Sequence, residues 1–360
     1  MIQTKTIFIA PLNWGLGHAT RCIPIIQHLK KQGHKVILGS DGNAFQLLQK
    51  EFPELLAIEL PGYNITYPDN DQFAMHMILS VPKILSAIKR EKKVLETIIK
   101  DHHIDTIISD NRYGIFHSDI KSIIITHQPN ILAPVFSNVA SALHRKFLNK
   151  FDEVWIPDFE DANNVSGDLS HPIHNLSQAK YIGILSRFSS KLRAQSPEIE
   201  IRKPYILAII SGPEPQRSKF EYILRKQSEK NDHHVIVVGG KYESVENSKT
   251  AHNLTYLPFA SSAHLKWLIE NSMICISRSG YSSIMDYISL GKTAIMVPTP
   301  GQIEQEYLAD YLTEKGLFIT SKQHQFDLQK VLESFNTFNP NFKNFDSKKI
   351  DRIYDLLNNI

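Results

Sequence analysis

Twice in this chain an apolar run stops at a tight turn of small residues and a helical pattern begins. Ile7-Phe8-Ile9-Ala10 leads into Asn13-Trp14-Gly15-Leu16-Gly17-His18, and Met273-Ile274-Cys275-Ile276 leads into Ser277-Arg278-Ser279-Gly280-Tyr281-Ser282-Ser283. A strand that ends this way aims the unpaired N–H groups of the following helix, and the positive end of its dipole, at an anion. One such unit in each half points to an α/β chain with two Rossmann-like, doubly wound parallel-sheet domains facing across a cleft.

The rest of the pattern agrees. Strand-like runs at Thr6–Ala10, Lys35–Leu38, Thr106–Ser109, Ser122–Thr126 and Glu153–Ile156 alternate with helical periodicity at 19–32, 43–51 and 81–100. Residues 157–200 lose the rhythm and turn rich in Asp, Asn, Ser, Gly and Pro, apart from a short strand-like island at 181–185. Alternation resumes at Pro204 and runs to the Asn/Phe/Lys-rich stretch 336–346, after which 347–357 reads as a last helix. The expected division is therefore 1–160 as first domain, 161–200 as linker, 201–345 as second domain, and 346–360 as a helix packing back on the first. At 360 residues the chain exceeds one ordinary core.

A net charge of +3 falls well short of a nucleic-acid footprint. Cys22 and Cys275, one in each half, make a disulfide framework or a zinc site unexpected. With no leader pattern at Met1–Lys5 and no apolar stretch of membrane-spanning length, the expectation is a cytoplasmic protein.

After Gly280, spacings of four and three residues put Ser282, Ser283 and Asp286 on one helix face. A phosphate fits the helix start beside the two hydroxyls. Asp286, about 5 Å further along the axis, lies where the ribose of a nucleotide diphosphate would fall, and a carboxylate accepts from paired hydroxyls. The alternative is that the serines cap the helix and Asp286 serves its dipole. Val297-Pro298-Thr299-Pro300-Gly301-Gln302 then forces a loop at the carboxyl edge of the sheet, with Glu304 and Gln305 placed to bind sugar hydroxyls or to cap the next helix. Ser211, Gly212 and Arg217 follow the first strand of this domain, and Gly239 ends another; all four are candidate donor contacts.

The pattern Ser277-Arg278-Ser279-Gly280, Asp286, Gly291, Pro298, Glu304-Gln305, Ala309 resembles the donor-binding half of GT-B glycosyltransferases, in the superfamily of the peptidoglycan enzyme that adds N-acetylglucosamine to lipid I. The resemblance implies a nucleotide diphosphate sugar donor, most often UDP-linked, and no cofactor or metal. It further implies that Leu257-Pro258-Phe259-Ala260 reads the base, Ser283 contacts phosphate, Asp286 binds ribose and Glu304–Glu306 contact the sugar. Arg278, Ser279, Gly280 and Ser282 complete the donor set, with Arg217 or Arg278 stabilising the departing diphosphate.

In the first half, Gly15-Leu16-Gly17-His18-Ala19-Thr20 lacks the third glycine of a dinucleotide fingerprint, although NAD with Asp41 on the ribose remains an alternative. His18 at the mouth of the turn suits a general base, since imidazole titrates near neutrality. The alternative is that it donates to a loop carbonyl. A similar Gly-His pair in the superfamily favours the base. Gly15, Gly17 and Arg21, one turn on, are acceptor-side candidates, as are Asp110 and Asn111, with Arg112, at the end of a strand. Thr126-His127-Gln128-Pro129-Asn130 looks like the acceptor-side His-Glu-Gln-Asn segment of the relative, placing His127, Gln128 and Asn130 in the same group. The glycine-poorer first loop argues for a different acceptor.

Phe73–Val81 precedes a helix bearing Lys83, Lys89, Arg90, Lys92 and Lys93, and apolar surface beside basic residues is how a protein rests on an anionic bilayer. The partners expected are thus a nucleotide sugar, a hydroxyl-bearing acceptor and, through Phe73–Val81, a membrane surface. The histidine pairs 102–103, 233–234 and 171/174 lack carboxylates at ligand spacing. The reading is an inverting hexosyltransferase acting on a cell-envelope or other glycan acceptor; the rivals are a nucleotide-sugar hydrolase and a non-catalytic nucleotide-sugar-binding protein.

Overall fold

The computed structural model describes residues 4–63, 73–132, 137–188, 192–199, 201–240, 249–251, 253–342, 352–358 and 360. The chain forms two compact units, one running to Ser186 and including the C-terminal helix, the other beginning at Arg187.

In the first unit the order is β1 (Thr6–Pro11), α1 (Gly17–Lys31), β2 (Lys35–Ser40), α2 (Gly42–Glu51), β3 (Ala57–Glu59), α3 (Phe73–His102), β4 (Thr106–Asp110), β5 (Lys121–Ile125), α4 (Ser137–Leu148), β6 (Glu153–Ile156) and β7 (Ala179–Tyr181). These strands make one parallel sheet in the order β3-β2-β1-β4-β5-β6-β7. The second unit contains β8 (Tyr205–Ile209), α5 (Gln216–Ser228), β9 (His234–Val238), β10 (Lys249–Ala251), β11 (Leu254–Leu257), α6 (Ser262–Asn271), β12 (Ile274–Ser277), α7 (Tyr281–Ser289), β13 (Ala294–Met296), α8 (Ile303–Glu314), β14 (Ile319–Thr320) and α9 (Leu328–Thr337). Its sheet runs β10-β11-β9-β8-β12-β13-β14, parallel except at the antiparallel edge strand β10.

Helices on both faces of a parallel sheet require strands that are apolar throughout. Ile7, Phe8, Ile9 and Ala10 of β1 are fully buried, as are Tyr205 to Ala208 of β8. Phe8, Ile37 and Ile107 meet Leu95 and Ile98 of α3, and Ile206, Val235 and Ile276 meet Phe220 and Leu224 of α5. Each such side chain contributes about 1.5–3 kcal/mol. The edge strands β3, β7, β10 and β14 have three residues or fewer. Short edges resist pairing with other chains, and they are too short to show a sequence period.

The stretch expected to be a linker is built differently at its start. Asp158, fully buried, accepts from the N–H groups of Phe159, Val165 and Ser166 at 2.7, 2.9 and 2.9 Å, which folds the polar residues after β6 into a fixed loop. That loop delivers β7 to the first sheet beside β6. The last helix, α10 (Arg352–Leu357), lies against α1: the ring of Tyr354 stacks on His28 at 4.8 Å, and Asn358 accepts from Gln32 Nε2 at 2.6 Å.

In each sheet the strand order reverses once, between β1 and β4 and between β8 and β12. Open α/β sheets bind ligands at the carboxyl ends of strands at that switch point. Both of the turns singled out in the sequence emerge there.

Candidate active site

In the first unit, β1 pairs with β4 so that Pro11 stands opposite Asp110. Gly15, at φ +85°, turns the chain from β1 into α1, a conformation that a side chain would strain. Helix α1 then places His18 beside the end of β4, and the His18 Nδ1 lies 2.7 Å from Asp110 Oδ1. A carboxylate can only accept, so in that pair Nδ1 carries the proton and Nε2 keeps its lone pair; Arg21 Nη2 stands 2.9 Å from the same Nδ1. The imidazole is 12% exposed and Asp110 is sealed. Arg21, one turn along α1, holds both Asp110 oxygens through Nε and Nη2. Its Nη1 stands 3.1 Å from His127 Nδ1.

Burial pushes the Asp110 carboxyl up, but Arg21 and His18 outweigh it and hold it at about 2. Burial pulls the His18 imidazole below its ordinary value; Asp110 opposes that, while Arg21 and His127 add to it. The result is a neutral, oriented imidazole at neutral pH, backed by a permanent negative charge.

The acceptor-side expectations are therefore redistributed. Arg21 and Asp110, 2% and 0% exposed, have no surface to offer a substrate and instead orient His18. Arg112 is likewise spent inside, on Glu91, Asp41 and the carbonyls of Pro11 and Pro61. Asn130 braces the following loop, its Nδ2 donating to Asp168 O and Pro172 O at 3.1 and 3.0 Å. Gln128 is half-buried, its N–H bonded to Thr126 Oγ1. Asn111, at φ +57°, has a buried Oδ1 with no hydrogen-bond partner among the described residues. Gly17 accepts from Thr20 Oγ1 through its carbonyl. The role of Arg21 was hidden in sequence because Asp110 and His127 are 89 and 106 residues away from it.

In the second unit, helix α7 starts at Gly280 with no side-chain cap and no acid in its first turn, and Ser282 and Ser283 are half-buried there. Asp286 is 7% exposed and accepts from Arg187 Nε at 3.3 Å. Ser211 and Gly212, after β8, are exposed; Phe259 and Ala260 follow β11; Glu304 is half-buried at the start of α8.

Other donor candidates have polar atoms bonded within the second unit. Arg278, 1% exposed, donates through Nη1 to the carbonyls of Val297 and Pro298 at 3.1 and 3.2 Å, and through Nη2 to Gln216 O and Gln323 Oε1 at 2.8 and 2.6 Å. It ties together the loops after β12 and β13 and the start of α5. Burial pulls its pKa down to about 9, so it stays a cation at neutral pH. Arg217 is bonded to Gly239 O and Glu214. Ser279 Oγ donates to Gln305 O at 2.7 Å, and Gln305 Oε1 accepts from Thr299 N at 2.9 Å. Arg187 had no motif around it to announce its place beside Asp286.

The metal-suspect histidines have other work: His171 bonds Ser170 and Phe159 O, and His234 bonds Thr255. Among the described residues no group of three or more His, Cys, Asp or Glu is gathered as a metal set. No helix among them is long and apolar enough to cross a membrane. The side chains of residues 73–79 lie outside the described residues, so of the expected membrane segment Ser80, buried, and Val81, exposed, are seen.

Residues 209–360 match the glycosyltransferase family 28 C-terminal domain, and residues 12–123 match the glycosyl transferase family 1 model. An uncharacterized glycosyltransferase of Methanosarcina mazei is 22% identical over 84% of this chain and 82% of its own length. The UDP-N-acetylglucosamine–N-acetylmuramyl-(pentapeptide) pyrophosphoryl-undecaprenol N-acetylglucosamine transferase of a Sulfurihydrogenibium species is 24% identical over 96% of this chain and 93% of its own. Among solved structures, the glycotransferase of kitacinnamycin superposes with a TM-score of 0.63 at 12% identity, covering 99% of this chain and 94% of that one. A spinosyn rhamnosyltransferase complexed with thymidine diphosphate gives 0.61 at 11%, over 98% and 95%. Matched to glycosyltransferase families in both halves and sharing the fold of GT-B enzymes, the chain is a glycosyltransferase that resembles the superfamily of the lipid I N-acetylglucosaminyltransferase.

Proposed function

We propose that this enzyme transfers a hexose or N-acetylhexosamine, with inversion and without a metal, from a UDP-sugar to a hydroxyl acceptor such as a lipid-linked or cell-envelope glycan. The observation that carries the reading is the 2.7 Å pairing of His18 with Asp110 at the switch point of the first sheet. His18 Nε2 takes the proton of the acceptor hydroxyl as its oxygen attacks the anomeric carbon. The bond from that carbon to the diphosphate breaks, and the electron pair leaves with the nucleotide. Asp110 stabilises the imidazolium that forms, and an oriented base of this kind contributes about 10²–10⁴ in rate.

The second unit supplies the donor grip: the uncapped start of α7 with Ser282 and Ser283 for the diphosphate, Asp286 for the ribose, Phe259 and Ala260 for the base, and Glu304 for the sugar. Fixed N–H dipoles aimed at a departing anion do electrostatic work that a metal does elsewhere. The UDP preference is supported by the name of the Sulfurihydrogenibium relative. A peripheral membrane contact is supported by Val81 and Leu85, 41% and 43% exposed on α3 beside exposed Lys83.

A thermal-shift screen of nucleotides and nucleotide sugars identifies the donor, and release of the nucleotide in the presence of sugar and lipid-linked acceptors measures transfer. His18→Ala should abolish transfer and keep the UDP shift, whereas Asp286→Ala should weaken the shift. Full transfer by His18→Ala would remove the base from the mechanism. Donor consumption at full rate without any acceptor would turn the enzyme into a hydrolase.

A further inference from the structure

Arg187 lies on the carboxylate that the proposed function assigns to the ribose. Its Nε donates to Asp286 Oδ2 at 3.3 Å, and the two side chains are 16% and 9% exposed, so the guanidinium covers the acid. The same guanidinium stands 5.0 Å from the centroid of the Phe188 ring, and Phe188 is itself buried. Arg187 thus has two attractive neighbours, an anion and an aromatic face, and the second remains when the first is taken.

A carboxylate accepts hydrogen bonds and cannot donate them. Arg187 and the ribose hydroxyls are all donors, and they compete for one acid. At 3.3 Å the Nε contact is longer than the usual N–H···O distance, a hydrogen bond that incoming hydroxyls can replace. We propose that Arg187 is a latch on the donor site: it holds Asp286 while the site is empty and is displaced toward Phe188 when the paired hydroxyls of a ribonucleotide arrive. The latch lowers affinity for every ligand that must open it, because apparent affinity scales with the fraction of open sites. The proposal rests on Asp286 being the ribose acid.

Calorimetric titration with UDP and with 2′,3′-dideoxy-UDP, which has no ribose hydroxyls, separates the two ideas. Asp286→Ala should weaken UDP and leave the dideoxynucleotide unchanged; equal effects on both, or none, defeat the ribose assignment itself. Given the expected Asp286→Ala result, Arg187→Ala should tighten UDP by about threefold to tenfold, the net size of one hydrogen bond, and leave the dideoxynucleotide unchanged. Arg187→Met, which keeps the aliphatic stem over Phe188, should show the same gain if the alanine variant folds poorly. Unchanged or weaker UDP binding in both variants overturns the latch. Weaker binding of both nucleotides would show that Arg187 serves as a phosphate-attracting cation instead.

Discussion

At the scale of single residues, the His18–Asp110–Arg21 cluster makes the sharpest claims. The proposed reaction needs His18 neutral to take a proton, and burial lowers its pKa. The neutral form therefore persists as pH falls below the ordinary imidazole value, and the acid limb of kcat/KM should lie below about pH 6.5. A limb above that value would mean that the Asp110 pairing outweighs burial at His18. Asp110→Asn should cost about 10²–10⁴ in kcat, because the amide no longer holds the imidazole in one tautomer or supports its charge. It also leaves the buried Arg21 without its counterion, a loss of about 3–5 kcal/mol. The sign of the pH effect on folding follows from the depressed carboxyl. Its stabilisation is complete above the ordinary Asp value and disappears as pH falls through about 2. That is about 2 kcal/mol in urea unfolding, which the Asp110→Asn variant should lack.

At the scale of elements, one buried cation organises the carboxyl edge of the second sheet. Arg278→Ala would strip bonds from the carbonyls of Gln216, Val297 and Pro298 and from Gln323. Buried acceptors left unmatched cost about 1–3 kcal/mol each. Chemical denaturation should report a loss of at least about 2 kcal/mol, together with weaker UDP binding, because the loops around α7 lose their tie. The end of β9 gives a second test. A Cβ on Gly239 would collide with the Tyr256 hydroxyl and meet its ring carbons at 2.9 and 3.2 Å, and Tyr256 is 2% exposed. Gly239→Ala should therefore cost about 1–3 kcal/mol by overpacking, seen as a lower urea midpoint. The edge strands explain why element boundaries were harder to read than element types. β10 and β14 are too short for any hydrophobic period, and β7 is delivered by the Asp158-centred loop, whose polar composition reads as a connection.

At the scale of the whole molecule, each unit carries its own sheet and core, so heat or denaturant has two structures to melt. UDP at a hundred times its Kd should raise the transition of the second unit by about 2.7 kcal/mol, and differential scanning calorimetry with Asp286→Ala as control reads it directly. The C-terminal helix belongs to the other unit: Ile353 and Leu357 of α10 are 2% and 1% exposed, against α1. Removing residues 352–360 should lower the transition of the first unit by about 3–6 kcal/mol, the burial of two large aliphatic side chains, and leave the UDP-sensitive one in place.

Sequence by itself determined the architecture. A strand buried on both faces must be a continuous apolar run, and a turn of small residues before a helix is visible within a dozen positions, so both switch-point turns, His18 and the Ser282–Asp286 face were legible. Tertiary structure decided which polar residues near those turns stay partly open to solvent and which hold the turns in place. Arg21, Asp110, Arg278 and Arg217 carry the same functional groups that bind ligands elsewhere. Their partners come from strands and loops far along the chain, brought together by the order of a parallel sheet. A guanidinium spends its donors on whichever acceptors the fold places against it first.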